Sequence, residues 1–276
     1  MIDAHLHLWD PTRLDYDWLK HVPAIAGVHD SGHFKNIGIG LEGAVFVQAD
    51  CAPDQALSEI DWVAGQDFQI LGIVAYAPLE AGHGVVPHLA ALASRPLVKG
   101  VRRNAQNEAD GFMTAADYLA GMRLTAEAGL TIDMCIRAPQ LPELLEAVRQ
   151  VPEARIVLDH LGKPDIAAHD ANINGDDWAD NLSALAALPN VWCKLSGLPT
   201  QATWDDWHAD ELLPYLHHAI STFGPDRCLF GGDWPVVDLA GGYRPWLDVV
   251  ESAIAGLSGE EQIRIRAGSA RDVYRL

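Results

Sequence analysis

Eight short, β-rich apolar runs recur along the 276 residues, at 2–8, 43–49, 70–77, 98–103, 131–137, 155–161, 191–197 and 227–233. Runs of this kind suit strands buried on both faces, as in a parallel sheet. Between them lie segments with helical spacing, at 53–67, 114–128, 140–151, 177–188 and 206–223. Thr114 is the expected N-cap of its helix and Gly129 its C-terminal stop. The tail after Val250 reads as one or two closing helices. Eight strands alternating with helices predict an α/β chain of one domain, residues 1–276, folded as a parallel (β/α)8 TIM barrel, for which about 250 residues is typical. A doubly wound open sheet is the competing architecture. It would carry a glycine-rich turn after the first strand, where this chain has His7-Leu8-Trp9-Asp10-Pro11. The stretch 11–41 is long for one connection, and long connections are often functional.

Charge and composition narrow the partners. With 38 acidic and 19 basic residues the formal charge is −19, a field that repels phosphate backbones, so no nucleic-acid partner is expected. No run approaches the roughly 18 consecutive apolar residues of a membrane span, and the N-terminus lacks a signal-peptide pattern. Cys51, Cys135, Cys193 and Cys228 are scattered without a Cys-x-x-Cys spacing. They read as buried reduced thiols of a cytoplasmic protein. A homodimer is the base-rate expectation for a soluble enzyme.

Catalytic residues of a barrel of this kind come from the C-terminal ends of its strands. There the sequence places His5 and His7, Gln48, Arg102-Arg103-Asn104, Asp159-His160, Lys194 and Ser196, and Asp233. In the first run Ile2, Ala4, Leu6 and Leu8 alternate with Asp3, His5 and His7, which predicts a strand with both histidines on one face. His5, His7, His160 and Asp233 could hold one divalent metal, zinc being the natural choice for imidazole and carboxylate. The alternative is that the imidazoles act as hydrogen-bond donors without a metal. Asp233 could take a proton from a water, while a histidine or metal opposite stabilises the oxyanion formed on a carbonyl. Arg102, Arg103, Asn104, Gln48 and Lys194 could fix an oxygen-rich substrate; for the arginines the competing reading is an ion-pair network at the rim. Trp9, Trp18 and Trp234 offer flat walls for a sugar ring, or core packing.

The ordered set DAHLHLWDP (3–11), GVRRN (100–104), VLDHLGKPDI (157–166), VWCKLSGL (191–198) and DRCLFGGDWPV (226–236) resembles the amidohydrolase superfamily, over nearly the whole chain. It is most similar to the sugar-lactonase branch, with 2-pyrone-4,6-dicarboxylate lactonase more distant. The resemblance implies a distorted barrel and a lactone hydrolase. It implies that His5, His7 and His160 match the family histidines and that Asp233 matches its general base. A carboxylated lysine on strand four and a histidine on strand five, which support two metals in many members, have no counterpart here. The branch has members with one zinc and with none. Arg103 stands where many sugar lactonases carry histidine, and a guanidinium favours planar anionic or multiply hydroxylated partners; a carboxylated lactone is therefore a second expectation beside a sugar lactone. A zinc-dependent decarboxylase on the same fold and a catalytically silent sugar-acid-binding barrel are the rivals.

Overall fold

The computed structural model describes residues 1–169 and 177–276. Eight strands form one parallel sheet in chain order: β1 (Ile2–Leu6), β2 (Gly43–Val47), β3 (Ile70–Tyr76), β4 (Val98–Arg102), β5 (Thr131–Met134), β6 (Arg155–Leu158), β7 (Val191–Leu195) and β8 (Cys228–Phe230). All eight expected runs become strands; β2, β4, β6 and β8 end short of their polar residues or at them, while His5, Asp133 and Lys194 are the next-to-last residues of β1, β5 and β7. Helices follow most strands, including Ala56–Ala64, Ala116–Glu127, Leu141–Gln150, Asp177–Ala186 and Ala209–Phe223. The closing helices are Tyr243–Ile254, Gly259–Ile263 and Ser269–Tyr274. The expected N-cap is corrected by one residue: Ala115 caps the helix with no side-chain bond, and the Thr114 hydroxyl turns back to the Gly111 carbonyl instead. Gly129 follows that helix at φ +75°, as a C-terminal stop should. The long connection after β1 holds only short helical turns, Asp17–His21, Pro23–Ile25 and Ser31–Lys35. Among the described residues no helix is long and apolar enough to cross a membrane. All four cysteines are buried and free.

The barrel is nearly closed. β1 and β8 share a seam in which side chains complete the backbone pairing. Asp3 Oδ1 accepts the N–H groups of His5 (2.9 Å) and Gly232 (2.8 Å), and Oδ2 accepts the Tyr243 hydroxyl (2.9 Å). Beyond it the backbone N–H of Asp233 donates to the His5 carbonyl (2.8 Å), and that of His7 to the Trp234 carbonyl (2.8 Å). Glycines make this approach feasible, since a Cβ on Gly231 would lie 2.7 Å from the Cβ of His5.

Strict alternation along the first strand does not survive. Ile2 and Ala4 pack in the barrel interior with Val45, Val47 and Val74, above a plug formed by Ala270, Val273 and Tyr274 of the last helix. Leu6 and Leu8 instead join the core beneath the outer helices. The pairing of β1 with β2 shifts register between Asp3 and Leu6, and such an irregularity re-aims the side chains around it. It lets His5 and His7 meet at the barrel mouth.

The seam predicts a sharp steric limit. A methyl group on Gly232 would meet the Tyr243 ring at 2.1 Å and Asp3 Oδ2 at 2.6 Å. Gly232→Ala should cost about 1–3 kcal/mol through overpacking, read as a lower urea midpoint at unchanged m-value. An unchanged midpoint would show that the seam is looser than this.

Candidate active site

Beneath the mouth lies a layer of buried charge drawn from five strand ends. Lys194 Nζ bonds Asp133 Oδ2 (2.5 Å), lies 2.9 Å from Asp159 Oδ1 and meets His5 Nδ1 at 3.0 Å. Arg102 donates to Asp159 Oδ2 (3.2 Å) and to the Gln48 carbonyl (2.6 Å). Tyr274, from the plug, donates to Asp133 Oδ2 (2.6 Å). Two cations thus face two carboxylates, which is how buried charge is tolerated. Burial opposes charge on Asp159, but Lys194, His5 and Arg102 outweigh it and hold its carboxyl well below the usual range. Burial and then the Lys194 ammonium push His5 well below its ordinary value, so His5 is neutral at pH 7.

Above this layer two ring nitrogens and a carboxylate oxygen converge. His5 Nε2 and His7 Nε2 are 3.1 Å apart, and Asp233 Oδ1 lies 3.6 Å and 3.5 Å from them. His7 Nδ1 faces the Val47 carbonyl at 2.7 Å. A carbonyl only accepts, so that nitrogen carries a proton, and Nε2 is the atom turned to the cluster. The other oxygen of Asp233, Oδ2, faces His160 Nδ1 at 3.9 Å, and that nitrogen also meets the Ser196 hydroxyl at 2.9 Å. Burial lowers His160 to about 4, so it too is neutral. For Asp233, burial is overcome by His160, His7 and His5, and the carboxyl is held below its usual value. The Nε2 atoms of His5 and His7 and the Asp233 carboxylate form a donor set that fits one divalent cation of the zinc type. The structure divides the expected four ligands. His5, His7 and Asp233 make one group, while His160 falls with His5 and Asp159 in another.

The backbone around the mouth is strained. His160, Leu161, Gly162 and Lys163 are consecutive left-handed residues with φ of 54°, 54°, 72° and 52°. Each non-glycine there costs on the order of 1–2 kcal/mol. The Lys163 N–H donates to the His160 carbonyl (2.8 Å), and Trp178 Nε1–H donates to the Leu161 carbonyl (2.8 Å), which pins the turn. Asp233 (φ 56°) and Asp50 (φ 54°) are left-handed as well. Four of these residues, Asp50, His160, Lys163 and Asp233, line one cavity of about 230 Å³. Strain gathered at one mouth is a mark of a functional site. The volume is below the roughly 300–1,000 Å³ of drug-sized pockets and suits a single small ring.

The expected substrate contacts separate into two sets. His7, His160, Asp233, Arg102, Asn104 and Trp18 line the cavity. Lys194 does not reach it, being fully buried between its carboxylates. Gln48 is turned to Asp50, donating to its Oδ1 and accepting its N–H. Arg103 points away, held by Glu80 (2.7 Å) and Glu108 (2.6 Å), which is the rim ion-pair network rather than a substrate contact. Trp9 is fully buried and bonds the carbonyls of Ile25 and Gly27; Trp234 packs on His29 and Phe34. Neither lines the cavity. Asp50, Lys163, Gln106 and Thr200 line it without having been singled out from the sequence. Lys163 at least had a signal, since it stands within the HLGKP run.

A parallel barrel with paired imidazoles and a carboxylate at the C-terminal mouth has the architecture of a hydrolase. The amidohydrolase family model matches residues 2–276, and the chain belongs to that family. It is 32% identical to an L-fucono-1,5-lactonase of Burkholderia multivorans, over all of this chain and 96% of the relative. It is 31% identical to the L-fucono-1,5-lactonase of Burkholderia ambifaria, over all of this chain and 95% of that one. A crystal structure of a Burkholderia multivorans amidohydrolase with bound zinc superposes with a TM-score of 0.88 at 30% identity, covering all of this chain and 99% of that one.

Two measurements test the electrostatics. Lys194→Met leaves Asp133 and Asp159 sharing a dry space without their cation; about 3–5 kcal/mol of stability should be lost, and Asp133→Asn in the same chain should recover part of it. Glu59, fully buried behind Ala49, is pushed by burial to about 8. Its folded form keeps a proton that the unfolded chain releases near the ordinary 4.5. Stability should therefore fall as pH rises from about 4.5 to about 8, and Glu59→Gln should flatten that slope in denaturant titrations.

Proposed function

We propose that this chain is a carboxylic-ester hydrolase that opens the ring of a neutral, polyhydroxylated sugar lactone. The observation that carries the reading is the split aim of Asp233, one oxygen toward His5 and His7 and the other toward His160, inside a cavity sized for one ring. Whole-length relatives named as L-fucono-1,5-lactonases support the reaction class. Within the cavity, Arg102 is already neutralised by Asp159, and Asp50 adds negative charge. Arg103, bound to two glutamates, gives no ground of its own for a carboxylated lactone. Asp50 and Asn104, joined by a 2.7 Å hydrogen bond, offer acceptors and a donor for hydroxyl groups.

Zinc held by His5 and His7 with Asp233 would supply a Lewis acid that lowers the pKa of water and polarises a carbonyl. Support for that metal is the donor set and the zinc of the related amidohydrolase structure. Asp233, ionised throughout the neutral range, takes a proton from the attacking water as the new C–O bond forms. His160, fixed by Ser196, faces the carbonyl. The carbonyl–ring oxygen bond then breaks, its electron pair stays on the ring oxygen, and the proton held by Asp233 makes that oxygen a hydroxyl. One carboxyl group serves both steps. The acid product ionises and releases one proton to solvent.

A pH-indicator assay reads that proton. L-fucono-1,5-lactone and other sugar lactones should give acid with the protein as purified, lose the signal after chelation and regain it with zinc. Asp233→Asn should lower turnover by about 10²–10⁴-fold while the thermal transition stays cooperative. Near-normal turnover of that variant would remove Asp233 from the mechanism. Carbon dioxide from carboxylated aromatics with no acid from any lactone would move the chain to the decarboxylases, and lactone binding without hydrolysis to a silent barrel.

A further inference from the structure

The left-handed turn that strains His160 strains Lys163 equally, three residues on. In a left-handed turn, as in a right-handed one, residues three apart share a face, and both of these line the cavity. A backbone that holds a lysine in this conformation is aiming it. The ammonium has no carboxylate partner among the described residues; it rests on a neutral amide, Gln106 Oε1, at 2.5 Å. The neighbouring cations are all committed elsewhere: Arg102 to Asp159, Arg103 to Glu80 and Glu108, Lys194 to Asp133 and Asp159. Lys163 is close enough to His160 for its charge to weigh on that imidazole. Across the mouth, β2 lies four strands from β6 in the ring, and Asp50 stands just after it. The cavity therefore carries an uncommitted positive charge at the β6 side and a carboxylate at the β2 side.

We infer that Lys163 is a catalytic residue: its ammonium exchanges Gln106 for the ester oxygens of the bound ring, stabilises the negative charge that grows there, and holds the carboxylate of the product. The inference rests on the lactonase reading and adds an orientation to it. The ester group lies toward Lys163 and the hydroxyl-bearing carbons toward Asp50 and Asn104. An ammonium gains most where charge develops in a water-poor site. The same contact makes product acid a better ligand than a neutral sugar of equal shape.

The test separates this contact from the hydrolysis. Binding of L-fuconate and of neutral L-fucose is measured by calorimetry on the wild-type protein, Lys163→Asn and Lys163→Arg. Asparagine tolerates a left-handed backbone, so the turn should persist without the charge. L-fuconate should bind Lys163→Asn at least about tenfold more weakly, as expected for a lost hydrogen bond to a charged group. L-fucose should change by less than about threefold, and Lys163→Arg should restore most of the L-fuconate affinity. If lactones are hydrolysed, kcat of Lys163→Asn should fall more than KM rises. Equal weakening of both ligands, or L-fuconate affinity untouched by Lys163→Asn, overturns the inference even if lactonase activity is intact. L-fuconate binding that depends on Lys163, in a protein that hydrolyses no lactone, would sink the lactonase reading and leave the anion contact standing.

Discussion

Everything at the mouth of this barrel depends on one buried ammonium. Lys194 reaches three partners from three other strand ends, Asp133, Asp159 and His5. Without it, two carboxylates would share a dry space with nothing to offset them. With it, Asp159 stays ionised and can anchor Arg102 as well as face His5. Burial and the same ammonium together disfavour charge on His5. The charge layer is thus a foundation for the site above it, although none of its carboxylates touches the cavity. Such networks are weak evidence for stability in themselves, since apolar packing often does as well. Here the network fixes which way the His5 ring and the carboxylates of Asp133 and Asp159 turn.

The seam between β1 and β8 explains how the histidines come to use that foundation. An unbroken alternation would put His5 and His7 on the same side as Asp3, and Asp3 serves the seam. The shift of register between Asp3 and Leu6 breaks the alternation. It leaves Ile2 and Ala4 inside the barrel and Leu6 and Leu8 under the helices. The backbone bond from Asp233 to the His5 carbonyl then ties the carboxylate to the strand that carries the imidazoles. Ligand spacing is set by main-chain pairing, which is stiffer than any loop.

How far this was legible in the sequence follows from the same physics. Parallel strands buried on both faces write themselves as apolar runs, so all eight could be counted. Polar residues that end such runs stand out, and His5, His7, His160 and Asp233 were visible for that reason. What a run cannot show is depth. Arg102 and Arg103 are adjacent, yet one lines the cavity and the other binds two rim glutamates. Lys194 also ends a run, but on the axis below the mouth. Asp133 gives no such signal, because one carboxylate inside Thr131–Met134 has no local partner to announce it; its cation comes from a strand 61 residues on. The tryptophans failed for a similar reason, since a flat apolar ring reads the same in a wall and in a core. Lys163 and Asp50 are set by left-handed backbone, which composition does not encode outside glycine.

That strain has a further consequence for how the site is built. Three segments carry left-handed non-glycine residues into one small cavity: Asp50 after β2, His160 and Lys163 after β6, and Asp233 after β8. Each would relax if its own loop were free to move. The 160–163 turn is held by Trp178 through the Leu161 carbonyl. Asp233 is held by its N–H on the His5 carbonyl and by its own carbonyl, which accepts the Val237 N–H. Asp50 is clasped by Gln48 on one side and Asn104 on the other. The conformational cost is therefore met by bonds to the scaffold, made before any substrate arrives. Groups held in this way need little rearrangement when charge develops between them, and that readiness is what a hydrolytic site needs from its fold.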